Sequence, residues 1–110
     1  MECIFCKIIS HQQEADIVYE NEQFIVFKDI NPKALIHFLI VPKKHIKTIN
    51  DLKEEDRELV SEMIFLAKKL AIEQEIVEKG YSLTFNVGRG GGQIIDHIHL
   101  HLMSGEIKNE

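Results

Sequence analysis

Several absences narrow the possibilities for this chain before any motif is considered. Only two prolines and no low-complexity tract occur, so nothing resembles a linker, and only the last residues, EIKNE, read as an unstructured tail. No apolar run approaches the ~20 residues of a membrane-spanning helix. The opening MECIFCKII has neither the basic segment nor the small-residue cleavage site of a signal peptide. A cytoplasmic protein with no membrane partner is therefore expected. Two cysteines are too few for a disulfide framework. Lys and Arg number 13 against 18 Asp and Glu, a formal net charge of −5, which argues against the basic stripe of a broad nucleic-acid surface. No nucleic-acid partner is expected, and any nucleotide ligand should be small and held by a few placed groups. At 110 residues the chain suits one domain, residues 1–110, with a single core.

Periodicity supplies the elements. CIFCKIISHQ carries apolar residues at helical spacing, and DIVYENEQFIVFKDI reads as two strands joined at Asn21-Glu22. ALIHFLIVP is a dense strand stopped by Pro42, which cannot donate to a ladder. The segment from Leu52 places Leu59, Met63, Leu66, Ala67 and Leu70 on one helical face, has acids in its first turns, and meets Gly80 as a stop. YSLTFNV returns to alternation. The expected fold is α+β: an antiparallel sheet of about five strands with one long and one short helix, its pairing order open.

The chemistry concentrates near the end, in GGGQIIDHIHLHLM. His97, His99 and His101 alternate with Ile98, Leu100 and Leu102. On a strand, alternate residues share a face, so one face packs and the other carries imidazoles. Such a trio fits a shared metal ion or nucleophilic and acid–base catalysis, and spacing alone does not separate the two. Four of the six glycines, Gly88, Gly90, Gly91 and Gly92, stand just upstream. They read as a flexible hairpin loop, or as a loop aiming N–H groups at an anion beside the imidazoles. No helix follows, so this is neither a dinucleotide fingerprint nor a P-loop. Cys3 and Cys6 are either reduced, inert thiols or half of a zinc site completed by histidines.

The run from His97 to Met103 resembles the signature of the histidine triad superfamily. IFCKII, FKDINPKALIHFLIVPKKHI and FNVGRGGGQ are similar to other segments of its nucleotide-binding branch, so the resemblance covers about residues 3–103. It implies a nucleotidyl hydrolase or transferase cleaving purine nucleoside phosphoramidates or related adenylylated compounds and releasing AMP, in a homodimer joined through about 54–78 and 82–87. The alternatives are a nucleotide-binding regulatory module with little turnover and a dinucleoside polyphosphate hydrolase. By resemblance, His99 is the nucleophile forming a transient nucleotidyl-histidine, His101 and His37 flank the phosphate, and His97 orients them. Asp29 would accept the ribose hydroxyls, and Ile4, Phe5, Ile8, Phe27 and Ile30 would line the base pocket. Asn86, Gly92, Gln93 and the backbone at Ile94 would contact the phosphate, together with His99 and His101. No cofactor is implied for the chemistry. A structural zinc ion held by Cys3, Cys6, His45 and His97, as in some bacterial relatives, is the further implication, and it leaves His99 free.

This sequence departs from the branch at three points. Ile94 stands where serine is frequent, Gln13-Glu14 replaces a usual Ile-Pro before the first strand, and no aromatic, proline-bearing tail follows. Each bears on substrate choice.

Overall fold

The computed structural model describes residues 3–106, so the expected tail lies outside the described residues except for Glu106. In chain order the elements are α1 (Ile4–Ile9), β1 (Ile17–Glu20), β2 (Phe24–Lys28), β3 (Ile36–Pro42), α2 (Arg57–Glu73), β4 (Ser82–Phe85) and β5 (Leu100–Ser104). Short 3₁₀ turns occupy Ile49–Asp51, Glu54–Asp56 and Arg89–Gly91. All strand pairs are antiparallel, in the order β1-β2-β3-β5-β4. This is the α+β architecture expected from the sequence. The turn at Asn21 forms because its Oδ1 accepts the N–H groups of Gln23 and Phe24, at 2.9 and 2.8 Å.

Helices pack against both faces of the sheet, which is why β2 and β3 read as continuous apolar runs rather than alternating ones. On one face, Phe24, Val26, Phe38, Ile40, Leu100 and Leu102 meet Met63, Leu66, Ala67, Leu70 and Ala71 of α2. On the other, Ile25, Phe27, Leu39 and Val41 meet Phe5 and Ile8 of α1. A six-residue helix cannot stand alone in water, so α1 depends on that burial.

Two boundaries differ from expectation. Helix α2 ends at Glu73, well before Gly80, and it closes as a Schellman motif: Glu75 N–H bonds Ile72 O and Ile76 N–H bonds Ala71 O, both at 3.1 Å. The left-handed residue is Glu75, at φ 58°, where glycine is usual, so no sequence signal marked the stop. Helix α1 ends the same way at His11, φ 64°, with His11 N–H on Ile8 O and Gln12 N–H on Lys7 O. The second difference is that β5 begins only at Leu100, so His97 and His99 precede the ladder. Their backbone is engaged elsewhere: Ile98 N–H donates to Ile46 O at 2.7 Å and His97 N–H to Ile95 O at 2.9 Å. The alternation of faces nevertheless persists, since Leu100 and Leu102 face α2 while His97 and His99 meet α1 through Phe5.

Candidate active site

Strand register brings the imidazoles together. In the β3–β5 pair, His37 stands opposite Met103 and Leu39 opposite His101, so His37 and His101 are diagonal neighbours on one face. Their rings bond, His37 Nε2 to His101 Nδ1, at 2.9 Å. The direction of that bond is fixed by the backbone. Lys33 N–H donates to His37 Nδ1 at 3.0 Å, so Nδ1 carries the lone pair and Nε2 the hydrogen. His37 Nε2–H then donates to His101 Nδ1, and the proton of neutral His101 stays on Nε2, which bonds no described residue.

The same reasoning orients the other two rings. His99 Nδ1–H donates to His97 O at 2.7 Å, leaving the Nε2 lone pair unclaimed among the described residues. His97 Nε2–H donates to Pro42 O at 2.8 Å, leaving its Nδ1 lone pair. Burial lowers the pKa of all four imidazoles, with His97 and His101 brought down to about 4. All four are neutral at pH 7. The 3.4 Å approach of Asp29 Oδ2 to His37 Nε2 is accordingly a contact between a carboxylate and a neutral ring rather than an ion pair. The other Asp29 oxygen accepts Asn31 N–H at 2.9 Å, so its turn role and its place at the site coexist.

His37, His99 and His101 border a cavity of about 600 Å³, within the range of small-molecule sites. Ile4, Phe5, Ile8, Phe27, Leu39 and Ile95 give it an apolar slot, with Ile30 at the margin, and Asp29, Asn86, Gly92 and Ile94 line it too. Ile94 is 75% exposed. The glycine loop is a built structure rather than a slack one. Gly88 and Gly92 take φ of 70° and 90°, and Asn86 Nδ2 donates to Gly91 O at 2.8 Å. Arg89 clamps the far side through Gln93 O and both oxygens of Asp96. Ile94 N–H bonds no described residue, so a donor is left for an anion.

Two expected residues lie elsewhere. Gln93 does not border the cavity: its side chain is buried, accepts Gly88 N–H, and donates to Lys47 O and Ile95 O. It holds the loop rather than reaching a phosphate. His97 likewise turns away, toward the cysteines. Its Nδ1 lies 3.4 Å from Cys3 Sγ, 3.6 Å from Cys6 Sγ and 3.1 Å from His45 Nδ1. Cys6 Sγ is 3.3 Å from His45 Nδ1. One ion shared by all three triad histidines is therefore not supported, because their free nitrogens diverge.

Three of these four spacings fall on the ~3.3–3.8 Å edges of a tetrahedron built with zinc–sulfur and zinc–nitrogen bonds, and the His45–His97 spacing is slightly shorter. The donor chemistry also fits. His97 offers a lone pair and is oriented by Pro42 O, while burial and the neighbouring Cys3 push the Cys6 thiol up to about 11, a proton that a divalent cation would displace. Asp29, His37 and His101 form a second close group. There His37 Nε2 already carries the proton that the Lys33 N–H imposes, so that group lacks the lone pair a metal requires. Sequence reasoning missed the Lys33 amide, the Arg89–Asp96 clamp, and Lys44, which bonds buried Asp56 at 2.6 Å and ties the His45 segment to the start of α2. Only the bidentate potential of an Arg and an Asp seven residues apart could have been noticed.

The family model described as "Scavenger mRNA decapping enzyme C-term binding" matches residues 2–110. The purine nucleoside phosphoramidase of Escherichia coli (strain K12) is 43% identical over 104 residues, covering 94% of this chain and 87% of that one. A HIT family hydrolase from Legionella pneumophila superposes with a TM-score of 0.93 at 47% identity, over 98% of this chain and 96% of that one. The histidine triad nucleotide-binding protein of Candida albicans gives 0.87 at 31%, over 96% and 76%. Site and relatives together define a nucleotide hydrolase. The chain belongs to the histidine triad family.

The depressed pKa of His101 has a defined sign in stability. An unfolded chain takes up this proton below its ordinary value of about 6.5, the folded protein only near 4, so stability is intact above pH 6.5 and lost as pH falls toward 4. By NMR, the His101 ring should show no protonation shift between pH 8 and about 5.5; a midpoint near 6.5 would contradict the buried, neutral assignment.

Proposed function

We propose that the protein hydrolyses purine nucleoside phosphoramidates or related nucleotidylated compounds through a covalent intermediate on His99. The carrying observation is the pairing of protons: a free Nε2 lone pair on His99 beside a free Nε2–H on His101, with ring centroids 4.9 Å apart. A base would occupy the apolar slot and the ribose hydroxyls would bond Asp29, leaving the α-phosphate between the imidazoles and the Ile94 N–H. His99 Nε2 forms the bond to phosphorus and the phosphorus–nitrogen bond breaks, the departing amine carrying a proton that the substrate nitrogen takes from solvent, while the His101 Nε2–H bonds a phosphoryl oxygen. Water then attacks phosphorus, displacing neutral His99 and releasing a proton to solvent, and the nucleoside monophosphate leaves. Near-neutral imidazoles suit this exchange, because the nucleophile is not lost to protonation at pH 7. The orderly proton sites favour turnover over a binding-only module.

The cysteine cluster supports a structural zinc ion held by Cys3, Cys6, His45 and His97. Bound there, zinc would supply a cross-link between the short first helix and the segments after β3 and before β5. No step of the chemistry passes through it.

Solution dimerisation has support at a sheet edge and a helix face. Among the described residues strand β4 has no partner on its outer side, and Ile64, Phe65 and Ile72 of α2, with Leu83 of β4, are exposed apolar residues.

Three outcomes are expected. His99→Ala should lower turnover of a nucleoside phosphoramidate by at least about three orders of magnitude while nucleoside monophosphate binding survives; rates near those of the unaltered protein would refute a nucleophilic His99. Elemental analysis of protein purified without chelator should find about one zinc per chain, lost together with several degrees of thermal stability in the Cys3→Ser, Cys6→Ser variant. Metal-free native protein after zinc-replete growth would end that assignment. Light scattering at micromolar concentration should give twice the 12.7 kDa chain mass, and Phe65→Glu should weaken the assembly; a single-chain mass throughout would count against the dimer.

A further inference from the structure

The apolar slot is bordered by two polar side chains that the motif and the proposed reaction leave unused. Gln13 and Glu14 line the cavity together with Ile4, Ile8 and Ala15. The left-handed turn at His11 brings them there: Gln12 and Gln13 N–H groups both return to Lys7 O, at 2.8 and 3.2 Å, which folds the chain back past the end of α1. Ala15 then packs against the cluster containing Phe5 and Phe27, so the segment is held at both ends. The Glu14 carboxylate makes no hydrogen bond or ion pair with the described residues. Lys28, which lines the same cavity, is paired with Asp16 at 3.5 Å instead.

Apolar walls grip the faces of a purine without distinguishing one purine from another; selectivity must come from groups that meet its edge. An ionised carboxylate only accepts. Guanine offers it two adjacent donors, N1–H and the N2 amino group, a bidentate charge-assisted pair. Adenine offers a lone pair at N1 beside a single amino group, so the same carboxylate faces a repelling acceptor. We propose that Glu14 makes this enzyme selective for guanine nucleotides, its carboxylate accepting from N1–H and N2–H while the Gln13 amide donates to O6.

This rests on the hydrolase reading above, and the test separates the two. The quantity measured is the ratio of kcat/KM for guanosine and adenosine phosphoramidates carrying the same amine, with the inosine compound, which lacks the N2 group, as a third substrate. At an exposed cavity margin the guanosine compound should be favoured by about tenfold, with inosine between. Glu14→Ala should bring the ratio to within about twofold, and Glu14→Gln, which adds a donor, should move it toward adenosine. Equal rates in the unaltered protein, or an unchanged ratio in Glu14→Ala, would overturn the assignment while leaving the hydrolase intact. If none of the three compounds is cleaved, the hydrolase reading fails, and calorimetric affinities for GMP and AMP decide the role of Glu14 by the same ratio and the same variants.

Discussion

Three of the clustered imidazoles have one nitrogen claimed by the backbone, and the site depends on that constraint. Buried polar atoms must be bonded, so once Lys33 N–H, His97 O and Pro42 O have each taken a ring nitrogen, the remaining nitrogen has a fixed character and direction. One amide therefore decides the tautomers of both His37 and His101. One carbonyl leaves His99 Nε2 with a lone pair rather than a proton. The side chains need little further tuning, because removing them from water already keeps them neutral.

That arrangement holds only if the strands and α1 are where they are. Phe5 shows the dependence most directly. Its ring touches Phe27, His97 and His99 edge-on, with centroids 5.3, 5.9 and 5.0 Å away, and it lies in the helix turn between Cys3 and Cys6. The cysteine cluster, the apolar slot and His99 thus share one aromatic neighbour. Helix α1 is short and ends in a left-handed residue without glycine, so its position comes from packing and from the groups at its start rather than from intrinsic helicity.

The sequence conveyed the elements and the face carrying the histidines well, because period-two alternation and the α2 stripe are strong local signals. It misjudged where those elements stop. Glu75 and His11 occupy positions at which glycine normally announces the end of a helix, and the start of β5 is set by Ile98 bonding Ile46, a contact no local pattern encodes. At the site, residue types were legible and roles less so. Gln93 has the chemistry to reach a phosphate, yet its three bonds go to backbone groups of two loops brought together only by the fold. The proton directions were illegible for the same reason, since they depend on a Lys33 amide whose side chain is irrelevant to the bond.

The strand order β1-β2-β3-β5-β4 has a consequence for the order of events during synthesis. Among the described residues the last strand, β5, is an inner one, and β4 pairs with no other strand. While the ribosome still holds residues 100–104, β4 has no ladder. The first three strands can associate early, but the sheet closes only when β5 inserts between two waiting neighbours, a long-range step. His101 travels on that strand. The chain therefore acquires its imidazole cluster and completes its sheet in a single late event.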